Sequence, residues 1–107
     1  MTVQRKAEFE STDKEGTTLL YTGSVTTTAT PISNAGLEMD EVSIRCRVDQ
    51  TITNRLLFSF DNVTFHRLKV GEMREEEPRG AVTTLYLKSL AGSVDYEAAI
   101  NWGNLAP

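Results

Sequence analysis

One cysteine, one histidine and three prolines are all that this 107-residue chain carries of the residues that staple, catalyse at or kink a fold. A single cysteine, Cys46, cannot form an internal disulfide, so stability has to come from burial and backbone pairing. The same scarcity excludes structural zinc, which takes about four thiolate or imidazole ligands where this chain offers Cys46 and His66. His66 is also the sole imidazole available as a base for a serine or cysteine nucleophile. It lies between Phe65 and Arg67 in a strand-like stretch, with no nucleophile at a telling spacing, and the plainer reading is an exposed or edge-strand histidine. Neither a G-x-x-x-x-G-K nor a G-x-G-x-x-G motif occurs, and the 7 glycines are scattered as turn punctuation. No cofactor and no metal is expected.

Positive charge is also short, with 11 Lys and Arg against 15 Asp and Glu, a formal charge of -4 and a pI near 4.9. A nucleic-acid binder needs clustered bases to displace counterions, and an acidic membrane attracts the same residues, so both partners are disfavoured. Residues 1–53 carry 5 basic and 8 acidic side chains and the remainder 6 and 7, so the average conceals no basic tail. The opening MTVQRKAEFE mixes both signs of charge without the apolar run of a signal or a membrane span. The expectation is a soluble chain made in the cytoplasm and folding as one domain over 1–107.

What the chain has in quantity is β-branched side chains: 14 Thr, 8 Val and 4 Ile. They suit a pleated surface better than a helix. In residues 41–49 (EVSIRCRVD), Val42, Ile44, Cys46 and Val48 alternate with Ser43, Arg45, Arg47 and Asp49, the period of a half-buried strand. Residues 55–60 (RLLFSF) group Leu56, Phe58 and Phe60, and Asp61-Asn62 predicts a two-residue hairpin into VTFHRLKV. Gly71-Glu72 predicts a type II′ turn with Gly71 at its first central position, leading to a strand over 73–77. Residues 81–89 alternate Thr83, Leu85 and Leu87 against Val82, Thr84 and Tyr86. The closing strand, 95–102, places Tyr96, Ala98, Ile100 and Trp102 on one face.

The first 40 residues are thinner in bulky apolar groups. Segments 6–10, 17–21 and 24–30 are strand-like, interrupted by Pro31 and by Ser33-Asn34-Ala35-Gly36. Thr26, Thr27 and Thr28 read as an edge strand or an arm, and residues 1–16 as a flexible amino-terminal arm. Short strands about ten residues apart, with no helical period, define an all-β fold, an antiparallel sandwich or small barrel with a meander-like second half.

The run Glu75-Glu76-Glu77, flanked by Arg74 and Arg79, lacks the D-x-D-x-D-G pattern of a calcium loop and reads as a solvated strand that discourages edge pairing. Asn62-Val63-Thr64 matches a glycosylation acceptor formally and a hairpin tip more simply. Phe58 and Phe60 suit a core. The residues expected at an interface are Phe65, Arg67, Arg45, Arg47 and Trp102, with core packing the competing role for the last.

Within the second half, Ser59-Phe60-Asp61, Gly71-Glu72, Leu85-Tyr86-Leu87-Lys88-Ser89, Gly92-Ser93 and Tyr96-Glu97-Ala98 follow one another in an order that resembles small β-sandwich structural proteins of tailed bacteriophages. The chain departs from the commoner pattern in having Asn62-Val63 where glycines are usual and in its heavier acidic stretch at 75–77. The resemblance implies a non-enzymatic virion protein that decorates or stabilises the capsid, or else serves at the head-tail junction, neck, tail or a fibre. It implies the major capsid or other virion proteins as partners and a homo-oligomer, with a trimer favoured because a closed ring buries edge strands. A carbohydrate- or receptor-binding module built around Asp61, Asn62 and Phe65, and a hydrolase using Glu75 or Asp95, are the alternatives from other classes.

Overall fold

A computed structural model of the chain describes residues 3–5, 17–46, 55–78 and 81–103. Nine strands run along them: β1 (Val3–Arg5), β2 (Thr17–Val25), β3 (Thr30–Ser33), β4 (Met39–Cys46), β5 (Leu56–Ser59), β6 (His66–Arg67), β7 (Met73–Glu76), β8 (Thr84–Ser89) and β9 (Val94–Trp102). They build a five-stranded sheet in the order β1-β2-β9-β4-β7 and a four-stranded sheet in the order β3-β8-β5-β6. Every pairing is antiparallel. Apolar side chains from both sheets join one buried cluster, so the fold is a β-sandwich rather than a closed barrel. Among the described residues no helix is long and apolar enough to cross a membrane.

The strongest alternation in the sequence forms the middle of the five-stranded sheet. Along β9, Val94, Tyr96, Ala98, Ile100 and Trp102 are all buried while the residues between them are half-buried. Strand β2 pairs with β9 along its whole length and β4 takes the other edge, so this one strand joins the two ends of the described chain. Burying each of the larger apolar side chains contributes about 1.5–3 kcal/mol. Gly23 faces Tyr96 across the β2–β9 ladder, and a Cβ there would sit 3.2 Å from the Tyr96 ring. The absence of a side chain at that position leaves the space that the Tyr96 ring occupies.

In β4, Met39 pairs with Trp102 and Glu41 with Asn101, leaving Asp40 as the extra residue of a bulge. The bulge brings both Met39 and Val42 to the core side despite their odd spacing. Val42 and Ile44 face inward as the alternation requires, Cys46 packs partly buried against the core, and residues 47–49 lie outside the described residues.

Several local expectations are corrected. The second half is no meander: β5 and β6 lie in the four-stranded sheet, β7 crosses to the five-stranded one, β8 returns and β9 crosses again. Each apolar strand has one face to bury, and alternating the sheets lets neighbours in sequence cover one another. The two-residue hairpin at Asp61-Asn62 is replaced by a loop over 59–65, because Phe58 and His66 are the last paired residues. At the later turn the Glu72 amide donates to the Lys69 carbonyl at 3.0 Å, so Val70 and Gly71 are the central residues. Gly71, at φ +80°, takes the third position, as a type II turn demands. Thr26–Thr28 form neither strand nor arm but the bend between β2 and β3, held where the Ser89 amide donates to the Thr26 carbonyl at 2.7 Å. Pro31, expected as an interruption, sits inside β3, an edge strand where a missing N–H is tolerated. Of the expected arm, Val3–Arg5 pairs with β2, and residues 6–16, including the strand-like 6–10, lie outside the described residues.

Candidate interaction faces

The outer face of the five-stranded sheet follows from its registers. Three rows of residues cross it: Thr18, Asn101 and Glu41; Leu20, Ala99, Ser43 and Glu75; Thr22, Glu97, Arg45 and Met73. The middle row is low because Ala99 and Ser43 are small, and an open groove of about 590 Å³ runs over it, bordered by Glu41, Glu75, Glu76 and Glu77. It continues past Ser43 and Ala99 into a smaller hollow of about 200 Å³ beside Leu20, Met73 and the Arg45–Glu97 pair. Within the outer two rows neighbouring strands are linked: the Asn101 amide donates to the Thr18 hydroxyl at 2.9 Å and Arg45 Nε to the Glu97 carboxylate at 2.6 Å. Such exposed pairs contribute at most about 1 kcal/mol, but they fix the side chains that border the groove.

Not every carboxylate here is available to a partner. Glu97 is held by Arg45, and Glu76 accepts from Arg74 Nε at 2.6 Å. Glu41, Glu75 and Glu77 remain exposed at the groove, with no ion pair among the described residues. No three histidine, cysteine or acidic side chains among the described residues converge as a metal-binding group.

The opposite outer face differs in kind. Leu57 lies between Arg67 of β6 and Lys88 of β8 and is only 8% exposed. The Lys88 ammonium sits 4.1 Å from the centre of the Phe65 ring, a cation–π contact that orients both side chains on the surface. Arg67 stands exposed beside them. None of the four strands of this sheet (TPIS, LLFS, HR, TLYLKS) contains an acidic residue. The sheet acids Asp40, Glu41, Glu75, Glu76, Asp95 and Glu97 all belong to the other layer, where Arg5, Arg45 and Arg74 are the bases. In its described strands the sandwich therefore has one acidic and one basic layer.

The loop over 59–65 projects at the end of the basic sheet. Ser59, fully buried, accepts the amides of Asp61 and Asn62 on its Oγ and donates that hydroxyl to Asp61 Oδ1. The same Asp61 oxygen accepts the amides of Val63 at 2.8 Å and Thr64 at 2.9 Å. These bonds, led by the one from Thr64, hold the Asp61 carboxyl below its usual range. Asn62 adopts a positive φ of 61°, which asparagine tolerates, and Val63 is left 79% exposed at the tip. This oxygen of Asp61 is committed to its own loop.

The residues expected at an interface are split by the structure. Phe65 and Arg67 share the basic face, whereas Arg45 lies on the acidic one, bound to Glu97. Arg47 is outside the described residues. Trp102 is corrected from interface to core: it is fully buried, its indole N–H donates to the Tyr21 hydroxyl at 3.1 Å, and the two rings meet edge to face. Burial pushes the Tyr21 hydroxyl above its ordinary pKa, partly offset by that hydrogen bond. Sequence reasoning missed Lys88 and the groove formed by Ser43 and Ala99. The alternation of 81–89 already put Lys88 opposite Leu87, and the small outward residues of 41–49 and 95–102 were the available signal for a depression.

No family model matches the chain, nor does any curated protein or solved structure.

Proposed function

We propose that this protein is a non-enzymatic structural component of a tailed-phage particle, decorating or stabilising the capsid by docking through the outer faces of its sandwich. The observation that carries the reading is the separation of charge between two broad, pre-ordered sheet faces, which suits flat contacts with other proteins better than enclosure of a small substrate. The resemblance of Ser59-Phe60-Asp61 and Leu85-Tyr86-Leu87-Lys88-Ser89 to virion sandwich proteins supplies the setting. On this reading the partners are the major capsid protein or other virion proteins, and the chain acts in the virion as a homo-oligomer, with a trimer favoured. Neither nucleic acid nor membrane is its partner, in keeping with a charge of -4.

Quantitative mass spectrometry of purified particles tests this directly. A copy number close to that of the major shell protein is the expected result. A number near that of the portal moves the protein to the neck, tail or a fibre, and absence from particles overturns the virion reading.

A further inference from the structure

We propose that copies of this chain associate head to tail, the basic face of the four-stranded sheet of one copy seating on the acidic groove of the next. The proposal rests on the reading of the sheet faces as docking surfaces and goes beyond it by naming the occupant.

Charge complementarity within one molecule is what singles out a second copy. Glu41, Glu75 and Glu77 border the groove without ion partners among the described residues, and Arg67 and Lys88 stand on the opposite side of the sandwich. The surfaces also differ in a complementary way. Ala99 and Ser43 make the acidic face hollow, while on the basic face Phe65 is half-buried and capped by the Lys88 ammonium, a fixed pairing of aromatic ring and cation. An aromatic flanked by cations, facing a hollow rimmed by carboxylates, matches the anchor-and-pocket pairing of protein interfaces. Two acidic faces would repel one another, and so would two basic ones. A twofold contact through either face alone is therefore disfavoured. The contact is of the heterologous kind, which closes into a ring when the rotation between copies allows, as in a trimer, and otherwise extends as a filament.

Sedimentation velocity on the purified full chain tests it. The wild type is expected to self-associate at low ionic strength and to weaken about tenfold or more between about 50 mM and about 500 mM salt, because exposed charge pairs are screened. Glu75→Lys with Glu77→Lys makes both faces basic, and Arg67→Glu with Lys88→Glu makes both acidic. Each double variant alone is expected to be monomeric at concentrations where the wild type is not, while an equimolar mixture of the two regains association. These positions are on the surface, and far-UV circular dichroism confirms folding. The wild-type salt dependence gives a reading that needs no variant. A wild type that stays monomeric up to about millimolar concentration, association that survives both swaps, or a mixture that fails to reassociate overturns the proposal. Failure here is distinct from failure of the virion reading: a chain abundant in particles yet monomeric in solution refutes the self-contact alone, and one that self-associates but is absent from particles does the reverse.

Discussion

Ser59 and Asp61 show how few atoms decide a loop. A buried hydroxyl and one carboxylate oxygen satisfy four backbone amides, those of Asp61, Asn62, Val63 and Thr64. Removing the hydroxyl in Ser59→Ala leaves two of them without their acceptor and is expected to cost about 1–3 kcal/mol in urea denaturation. The Asp61 carboxyl has its pKa depressed in the folded state, so its contribution is complete above the unfolded value of about 4 and is lost as pH falls through the folded one. NMR titration of the side-chain carboxyl carbon is expected to place the Asp61 midpoint below that of an unstructured aspartate. Ser59→Ala should move the midpoint upward. Trp102 belongs to the same scale: Trp102→Ala empties the largest site in the core and deprives the Tyr21 hydroxyl of its donor. A loss of about 3–5 kcal/mol is expected by thermal or chemical unfolding.

At the level of strands and turns, the connection between β6 and β7 depends on Gly71. Its φ of +80° is a conformation that costs a side-chain-bearing residue about 1–2 kcal/mol, and Gly71→Ala is expected to lose that much stability in a chemical melt. The strands themselves were legible because a half-buried strand leaves its period in the sequence: 95–102 and 41–46 alternate cleanly and lie where the pattern put them. Turns were less legible. Asp61-Asn62 looks like a tight hairpin until the Ser59 hydroxyl competes for the same amides, and a hydroxyl two residues upstream carries no period. Pro31 looked like a break because the pattern holds no record of which strand lies at an edge. The candidate faces were the least legible part. Charge alternates in sign along the chain, and the acidic and basic layers emerge only once β7 and β9 are assigned to one sheet and β6 and β8 to the other. Arg45 and Arg67 end on opposite sides of the molecule for that reason.

For the molecule as a whole, β9 closes the fold. It sits between β2, near the start of the described chain, and β4, so neither half can bury its apolar face until the last strand arrives. A chain ending at Ser93 is expected to lack cooperative unfolding altogether, as judged by circular dichroism and amide exchange. Such distant pairings also make folding slow, and stopped-flow refolding is expected in the millisecond-to-second range. The partition of charge between the layers has a further consequence. Two or three unit charges separated by the roughly 10 Å between packed sheets amount to a dipole moment on the order of 100 D directed through the thickness of the sandwich. A molecule so polarised experiences a torque before it touches anything. In the field of a charged surface it turns one broad side forward while still a Debye length away, so its orientation on arrival is selected during approach rather than by trial at contact.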